Sequence, residues 1–467
     1  MARLLVSSLL VLILLALTAT PAGAAGPLRL GFLDDELSGP PATAAPWLQR
    51  ATDVGADVVR VSSGWGSLAP MRPARPTDPD DPAYRWDDLD RAMRNAAGAG
   101  LTPLIALTGA PEWAQGPGRP ASAQPGSWRP DAAAFGAFAT ALARRYDGSR
   151  PDPLRPGSTL PRARDFQPWN EPNLDVYLAP QWTRGRGGFA NTGATLYRDL
   201  LNAFFLGIKA AQPQATVVSA GTAPFGDPQP GGRRTMPARF LRNVLCVSAT
   251  GRRTCRHRVR FDAIAHHPYS VGAPTRSALN PDDVSIPDLA RITGPVRDAV
   301  RLGRALPRGP KPLWITEVSY DSSPPDPGGV PAARHARWVQ QAIALLARQG
   351  ATVVTWYLIR DQAPEPSFGQ TSQSGMFLRD GAAKPAATAF GFPLAVTRTR
   401  PATARVWIRA PAAGTIRIER RVAGRWVLAE TVRAERHAVV ERVVRRDGAT
   451  ALRARQAAAT SLAWRLG

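Results

Sequence analysis

The chain of 467 residues reads as an α/β protein, a (β/α)8 TIM barrel followed by a small C-terminal β-sandwich. Three observations predict this. Eight short, nearly continuous apolar runs recur between residues 28 and 359, as parallel strands covered on both faces require. Helical text, not hairpin turns, separates them. Beyond residue 394 the period changes to two, with Gly-containing turns between short segments.

In chain order the candidate strands are 28–35 (LRLGFLDD), 57–65 (DVVRVSSGW), 101–109 (LTPLIALTG), 164–172 (RDFQPWNEP), 216–224 (TVVSAGTAP), 261–269 (FDAIAHHPY), 312–320 (PLWITEVSY) and 351–359 (ATVVTWYLI). Residues 86–100 open with acids and end in glycines, the start and stop signals of a helix. Residues 130–146 begin at Pro130 and carry Arg144 and Arg145 in the last turn, and 330–350 stop at Gly350. A doubly wound open sheet is the competing fold. No G-x-G-x-x-G or Walker-type loop follows any run, so the usual phosphate-binding signature of that fold is missing. The C-terminal segments 404–410, 414–422, 425–432, 437–444, 450–456 and 460–466 complete the β-module.

Met1-Ala-Arg3, the apolar run 4–19, Pro21 and the small-residue site Ala22-Gly23-Ala24 form the three-part pattern of a secretory signal peptide. The expected organisation is therefore a leader over 1–24, a barrel over 25–394 and an Arg-rich accessory module over 395–467. A secreted, extracellular protein without stable membrane insertion after cleavage is expected. Cys246 and Cys255, the only cysteines, then close a local disulfide loop. No cofactor and no metal site are expected: the cysteine pair with His257 supplies only three ligands, and His266-His267 has no further ligand at metal spacing. His257 and His335 read as surface residues.

The formal net charge is +23, from 59 basic and 36 acidic side chains. Only Lys209, Lys311 and Lys384 are lysines, and the arginines are spread along the chain, which reads as compositional bias and not as a nucleic-acid footprint. Sixteen arginines against five acids fall within 395–467, which is compatible with electrostatic association with an anionic cell envelope. No nucleic acid partner is expected, and the protein is expected to be a monomer.

In a (β/α)8 barrel, chemistry sits where the strands end. The fourth run ends in Trp169-Asn170-Glu171-Pro172-Asn173 and the seventh in Trp314-Ile315-Thr316-Glu317-Val318. A glutamate there, between aromatic and amide side chains, packs poorly but suits a carboxyl whose pKa is set by neighbours. This text resembles the clan A retaining glycoside hydrolases, families 39 and 5 in particular, over residues 28–394. N-E-P at the fourth strand, His267-Pro268-Tyr269 at the sixth and Glu317 at the seventh carry the resemblance.

The resemblance implies Glu171 as acid/base and Glu317 as nucleophile. Retaining hydrolysis needs two carboxyls about 5 Å apart on opposite sides of the glycosidic bond. Arg60 would favour the charged form of Glu317, and Tyr269 could hydrogen-bond the same carboxylate. Asn170 would bond a sugar 2-hydroxyl, and His267 would bond within the site while His266 points the other way. Trp65, Trp113 and Trp356 would offer flat faces to sugar rings. Glu112, a third acid near the mouth, has no defined role. The function expected is a secreted glycosidase acting on a polysaccharide or oligosaccharide. The alternative is a non-catalytic carbohydrate- or envelope-binding protein on the same scaffold. No G-x-S-x-G text supports an esterase.

Overall fold

The computed structural model describes residues 27–466. The expected leader over 1–24 lies outside the described residues. All eight candidate runs form strands: β1 (Arg29–Phe32), β2 (Val58–Gly64), β3 (Thr102–Thr108), β4 (Asp165–Pro168), β5 (Thr216–Val217), β6 (Ile264–His266), β7 (Leu313–Val318) and β8 (Ala351–Trp356). They lie parallel in the order 5-4-3-2-1-8-7-6. Parallel bridges Val218–Ala263 and Thr222–His266 join the two remaining edges, so the sheet closes on itself. β5 is short because this last seam is held by isolated bridges and by hydrogen bonds such as Ser219 N–H to Ala263 O at 2.9 Å.

Each strand is followed by a helix: α1 (Pro41–Asp53), α2 (Asp87–Gly98), α3 (Ala132–Arg145), α4 (Thr192–Ala211), α5 (Pro237–Leu245), α6 (Ala290–Arg301), α7 (Ala332–Arg348) and α8 (Pro385–Gly391). Local chemistry sets their ends. The Asp131 carboxylate accepts from the Ala133 and Ala134 amides at the start of α3, and the Asn191 side chain accepts from Ala194 N at the start of α4. These two helices cross closely because a Cβ on Gly207 would stand 2.1 Å from the Gly136 carbonyl oxygen. One feature was not expected, a hairpin of Trp182–Gly185 with Gly188–Asn191 inside the loop after β4. His335 is also not a surface residue. It is fully buried on α7, against Trp356.

Alternation along the strands divides the barrel interior into layers. Near the strand starts, Val58, Leu104, Val218, Ala265, Trp314 and Val353 fill an apolar plug. Two residues further along, the inward positions become polar: Arg60 on β2, Gln167 on β4, Thr316 on β7 and Thr355 on β8 are all buried. His267, just past β6, joins the same level.

β9 (Leu394–Arg400), β10 (Thr403–Arg409), β11 (Gly414–Val422), β12 (Arg425–Ala434), β13 (Val439–Arg445) and β14 (Ala451–Gln456) form two antiparallel sheets. One has the order β9-β10-β13. The other has β12-β11-β14, extended by Ala459–Thr460 and Trp464–Arg465. Ile408, Ile416, Ile418, Val440 and Leu452 are among the apolar residues buried by these sheets. The buried Arg409 ties them to the strand-start end of the barrel, donating to Leu28 O (2.8 Å) and Asp57 Oδ2 (2.7 Å). His437 Nδ1 lies 2.7 Å from the other Asp57 oxygen. Cys246 and Cys255 are disulfide-bonded across the turn after α5.

Candidate active site

The polar layer opens at the C-terminal mouth of the barrel, where two carboxyls face each other. One oxygen each from Glu171 and Glu317 and one ring nitrogen of His267 lie within 4.8 Å of one another. Glu317 reaches the mouth through an irregularity. The β7–β8 register slips between Ile315 and Val318, so Glu317 joins Thr316 on the inner side although strict alternation would turn it outward. Glu171 lies past the end of β4 in a backbone with φ of 37°, two residues after Trp169 at 75°, both in the left-handed region that L-residues seldom adopt. The turn is fixed by Glu171 N–H to Gly221 O (3.1 Å) and by the buried Trp169 indole, which donates to Tyr177 O (2.8 Å).

Arg60 organises the centre. Its guanidinium donates from Nη1 to Glu317 Oε2 (3.0 Å), from Nη2 to Asn170 Oδ1 (3.0 Å) and from Nε to Gln167 Oε1 (2.9 Å). Arginine only donates, so these bonds fix both amides. The Asn170 Nδ2 is thereby turned from Arg60, with the Tyr177 phenol beside that side chain. Gln167 turns its Nε2 to Ser219 O (2.8 Å) and Thr316 Oγ1 (3.2 Å). The Thr316 hydroxyl then donates to His267 Nε2 (3.0 Å), which leaves His267 Nδ1–H to donate to Glu171 Oε1 (2.9 Å). Burial pushes the His267 pKa down to about 3, so the ring is neutral in this relay. Gly221 makes room for it, since a Cβ there would stand 2.1 Å from His267 Nε2.

The two carboxyls have different surroundings. Burial pushes the Glu171 pKa up to about 7, against a smaller lowering by Arg60. Glu317 has Arg60 on one oxygen and accepts the Tyr269 hydroxyl on the other at 2.7 Å. Burial and the nearby carboxylates hold the Tyr269 phenol well above its ordinary pKa, so it stays a donor. A cation at the Glu171–His267–Glu317 cluster would compete with bonds already made: both His267 nitrogens and both Glu317 oxygens have partners.

The structure thus brings Arg60, Asn170, Glu171, His267, Tyr269 and Glu317 into one mouth. His266 points away, bonded to Thr222 Oγ1 and Val284 O. The tryptophans are a correction. Trp356 is 0% exposed, packs outward against His335 and Tyr320, and donates to Ser374 O. Trp65 is also 0% exposed and packs against Phe135 and Phe138 of α3. Neither has a face open to a sugar. Trp113 is half-buried. It stands edge-on to Trp65, donates to Ala69 O and has the Arg72 guanidinium over its ring, so it fastens the loops after β2 and β3 together.

Two tyrosines were missed. Tyr357, one position past Trp356, is near enough to Glu317 for that carboxylate to add to the burial that raises its phenol to about 12. Tyr177, in the loop after β4, is raised by burial and by both Glu171 and Glu317. The signal for Tyr357 was available: consecutive strand residues face opposite ways, so an outward Trp356 implies an inward Tyr357. Tyr177 sits in a loop whose path no periodicity announces. Glu112 is exposed and accepts from Gln115 Nε2 (2.9 Å) in an open cleft of about 410 Å³ at the ends of β2 and β3.

No family model matches the chain, and no curated protein sequence is similar to it. Solved structures share its fold. A family 39 glycoside hydrolase from the gut symbiont Bacteroides cellulosilyticus WH2 superposes with a TM-score of 0.54 at 15% identity, covering 90% of this chain and 81% of that one. A glucosidase from Croceicoccus marinus gives 0.52 at 14% identity, over 91% and 94%. A monomeric beta-xylosidase from Caulobacter crescentus CB15 gives 0.50 at 17% identity, over 90% and 95%. The chain therefore has the barrel fold seen in these glycoside hydrolases.

Proposed function

We propose that the chain is a retaining glycoside hydrolase that cleaves O-glycosidic bonds of an extracellular polysaccharide or oligosaccharide. Its leader over 1–24 would direct secretion, residues 25–394 would form the catalytic unit and 395–467 an accessory module. One observation carries the reading: two carboxyls within 4.8 Å of each other in unlike surroundings, one raised to about 7 by burial and one bonded by an arginine and a tyrosine. A binding protein has no need of that asymmetry.

In this reading the Glu317 carboxylate attacks the anomeric carbon and the bond to the leaving oxygen breaks. Glu171, protonated below its raised pKa of about 7, gives that oxygen its proton. The product is a glycosyl ester of Glu317. Glu171, now a carboxylate, takes a proton from water, which attacks the same carbon and releases Glu317. Asn170 directs Nδ2 to the sugar 2-hydroxyl, and Tyr269 and Arg60 hold the attacking carboxylate in line. Tyr357 and Tyr177, not Trp356 and Trp65, supply the aromatic walls.

The test is a panel of polysaccharides and aryl glycosides followed by proton NMR, which should show the first product with the anomeric configuration of the substrate. Glu171→Gln and Glu317→Gln should each lower kcat by about 100-fold to 10,000-fold. An initially inverted product refutes the double displacement. Full activity of either variant refutes that glutamate's role.

A further inference from the structure

The sequence places a disproportionate share of its positive charge in the C-terminal module, and the structure gathers part of this charge on one sheet face. On the β9-β10-β13 sheet Arg405, Arg442 and Arg445 have acidic partners, with Arg405 3.6 Å from Glu441, Arg445 3.1 Å from Asp447 and Arg442 3.3 Å from Glu430, whereas Arg398 and Arg400 at the end of β9 have none among the described residues. The outward face of the β12-β11-β14 sheet differs. Arg417 stands directly opposite Arg455 in the β11–β14 ladder. Arg421 and Arg465 both flank Ala451, and Arg433 lies across from Thr415. Arg417, Arg421, Arg433, Arg455 and Arg465 are all exposed.

Glu419 is the one carboxylate in this face. It is held by Arg453 at 2.7 Å, with Arg455 at 4.0 Å. Among the described residues, Arg417, Arg421, Arg433 and Arg465 have no carboxylate within ion-pair distance. Like charges set directly opposite in a ladder destabilise a sheet. This face keeps Arg417 and Arg455 opposite each other all the same. Compositional bias supplies the arginines but does not explain why five exposed ones share a face with a single carboxylate.

An apolar strip lies among these charges. A bulge in β12 sets Leu428 opposite Glu419 and Trp426 opposite Arg421, on the same face. Leu428 is 46% exposed, and Trp426 is half-buried with the Arg453 guanidinium over its ring at 4.2 Å. Arg417 and Arg421, four residues apart on one strand, leave the backbone about 14 Å from each other, and Arg417 and Arg455 leave adjacent strands about 5 Å apart. The face therefore offers guanidinium forks at several spacings around a flat apolar strip.

We infer that the outward face of the β12-β11-β14 sheet binds an acidic polysaccharide, its arginines taking the carboxylates of uronic acid units and Leu428, with the part of Trp426 that Arg453 leaves uncovered, taking sugar faces. Guanidinium forks match carboxylates in geometry as well as charge. A membrane surface would call for several protruding apolar side chains, whereas among the described residues Leu428 is the one large apolar side chain exposed on this face. This inference does not depend on the catalytic reading, because the face belongs to a different part of the fold.

The test uses the full-length protein carrying Glu317→Gln, so that turnover does not consume the probe. Binding to polygalacturonate is measured by calorimetry at low and high salt, beside its methyl-esterified, uncharged form. Binding to polygalacturonate that weakens with salt is expected, with little binding to the ester. Arg417→Gln/Arg421→Gln/Arg433→Gln should weaken it about tenfold or more, while Arg405→Gln/Arg442→Gln/Arg445→Gln on the paired sheet should change it less than about twofold. Trp426→Ala should weaken it while leaving the salt dependence in place. Equal binding of the ester, or equal loss in both triple variants, overturns the assignment. Anionic lipid vesicles or duplex DNA bound as tightly as polygalacturonate, with Trp426→Ala without effect, would also overturn it in favour of unselective charge. Retained catalysis by the otherwise wild-type chain with failed binding would overturn this inference alone.

Discussion

Glu171 is placed for chemistry at a cost to folding, and that cost can be measured. Its carboxyl titrates near 4.5 when unfolded and at about 7 in the fold because it is buried without a compensating cation in contact. Between those values the folded chain binds the proton more tightly, so stability falls as pH rises from about 4.5 to 7 and is constant above. The raised value gives a penalty of about 3 kcal/mol at pH 8 and about 1 kcal/mol at pH 5. Glu171→Gln removes the charge but keeps an oxygen to accept His267 Nδ1–H, so the variant should be the more stable protein by these amounts. With an unfolding entropy of roughly 2 cal/mol/K per residue, its midpoint should rise by about 3–4 °C at pH 8 and about 1 °C at pH 5. Paired thermal melts at the two pH values read this directly. A gain equal at both pH values, or a less stable variant at pH 8, refutes the buried-carboxyl account. In the same account, the wild-type rate should fall on an alkaline limb near pH 7 as Glu171 loses its proton.

Other consequences are open to measurement. Tyr269→Phe removes a hydrogen bond to the Glu317 carboxylate and should lower kcat about 10–100-fold, read in steady-state assays with an aryl glycoside. Gln167→Leu breaks the relay between Arg60 and Thr316. It should cost about 1–3 kcal/mol of stability and also displace the alkaline limb of the pH–rate profile, which loss of packing alone would not move. Asp57→Ala leaves Arg409 buried without its anion and should cost about 3–5 kcal/mol in denaturant melts, with the two C-terminal sheets loosened first. Trp65→Ala should destabilise by about 3–5 kcal/mol with KM unchanged, whereas Tyr357→Ala should raise KM with little change in the melting midpoint.

The sequence pattern and the fold agree most closely where one physical rule acts alone. Parallel strands covered on both faces need apolar runs, and all eight runs became strands within a few residues of their expected positions. The C-terminal alternation likewise gave strands in two sheets. The mouth of the barrel was legible only in part, because its residues answer to several rules together. Glu171 stood out as a carboxyl between aromatic and amide side chains. Gln167 and Thr316 did not, since a polar residue in an apolar run looks like noise until the inward layer is known. Trp65 and Trp356 were misassigned because a strand-end aromatic points inward or outward according to a parity that the text alone does not anchor. The slip in β7 is the opposite case: alternation would have sent Glu317 outward, and its place in the mouth depends on a departure from the rule.

Arg60 also bears on why two glutamates less than 5 Å apart could serve one reaction without exchanging roles. In the proposed cycle its Nη1 is bonded to Glu317, while Glu171 feels the same guanidinium only at a distance, as a lowering too small to offset burial. That imbalance keeps Glu171 protonated when substrate arrives. Once Glu317 is esterified, its negative charge is gone, and the positive charge of Arg60 is no longer neutralised. Glu171 then becomes the nearby carboxyl on which that field acts, and its pKa falls at the step where it must become a base. The change needs no movement of either side chain. A trapped glycosyl-enzyme should therefore show Glu171 titrating below its free-enzyme value in a carboxyl-labelled NMR experiment. An unchanged titration would mean that Arg60 does not set the order of the two steps.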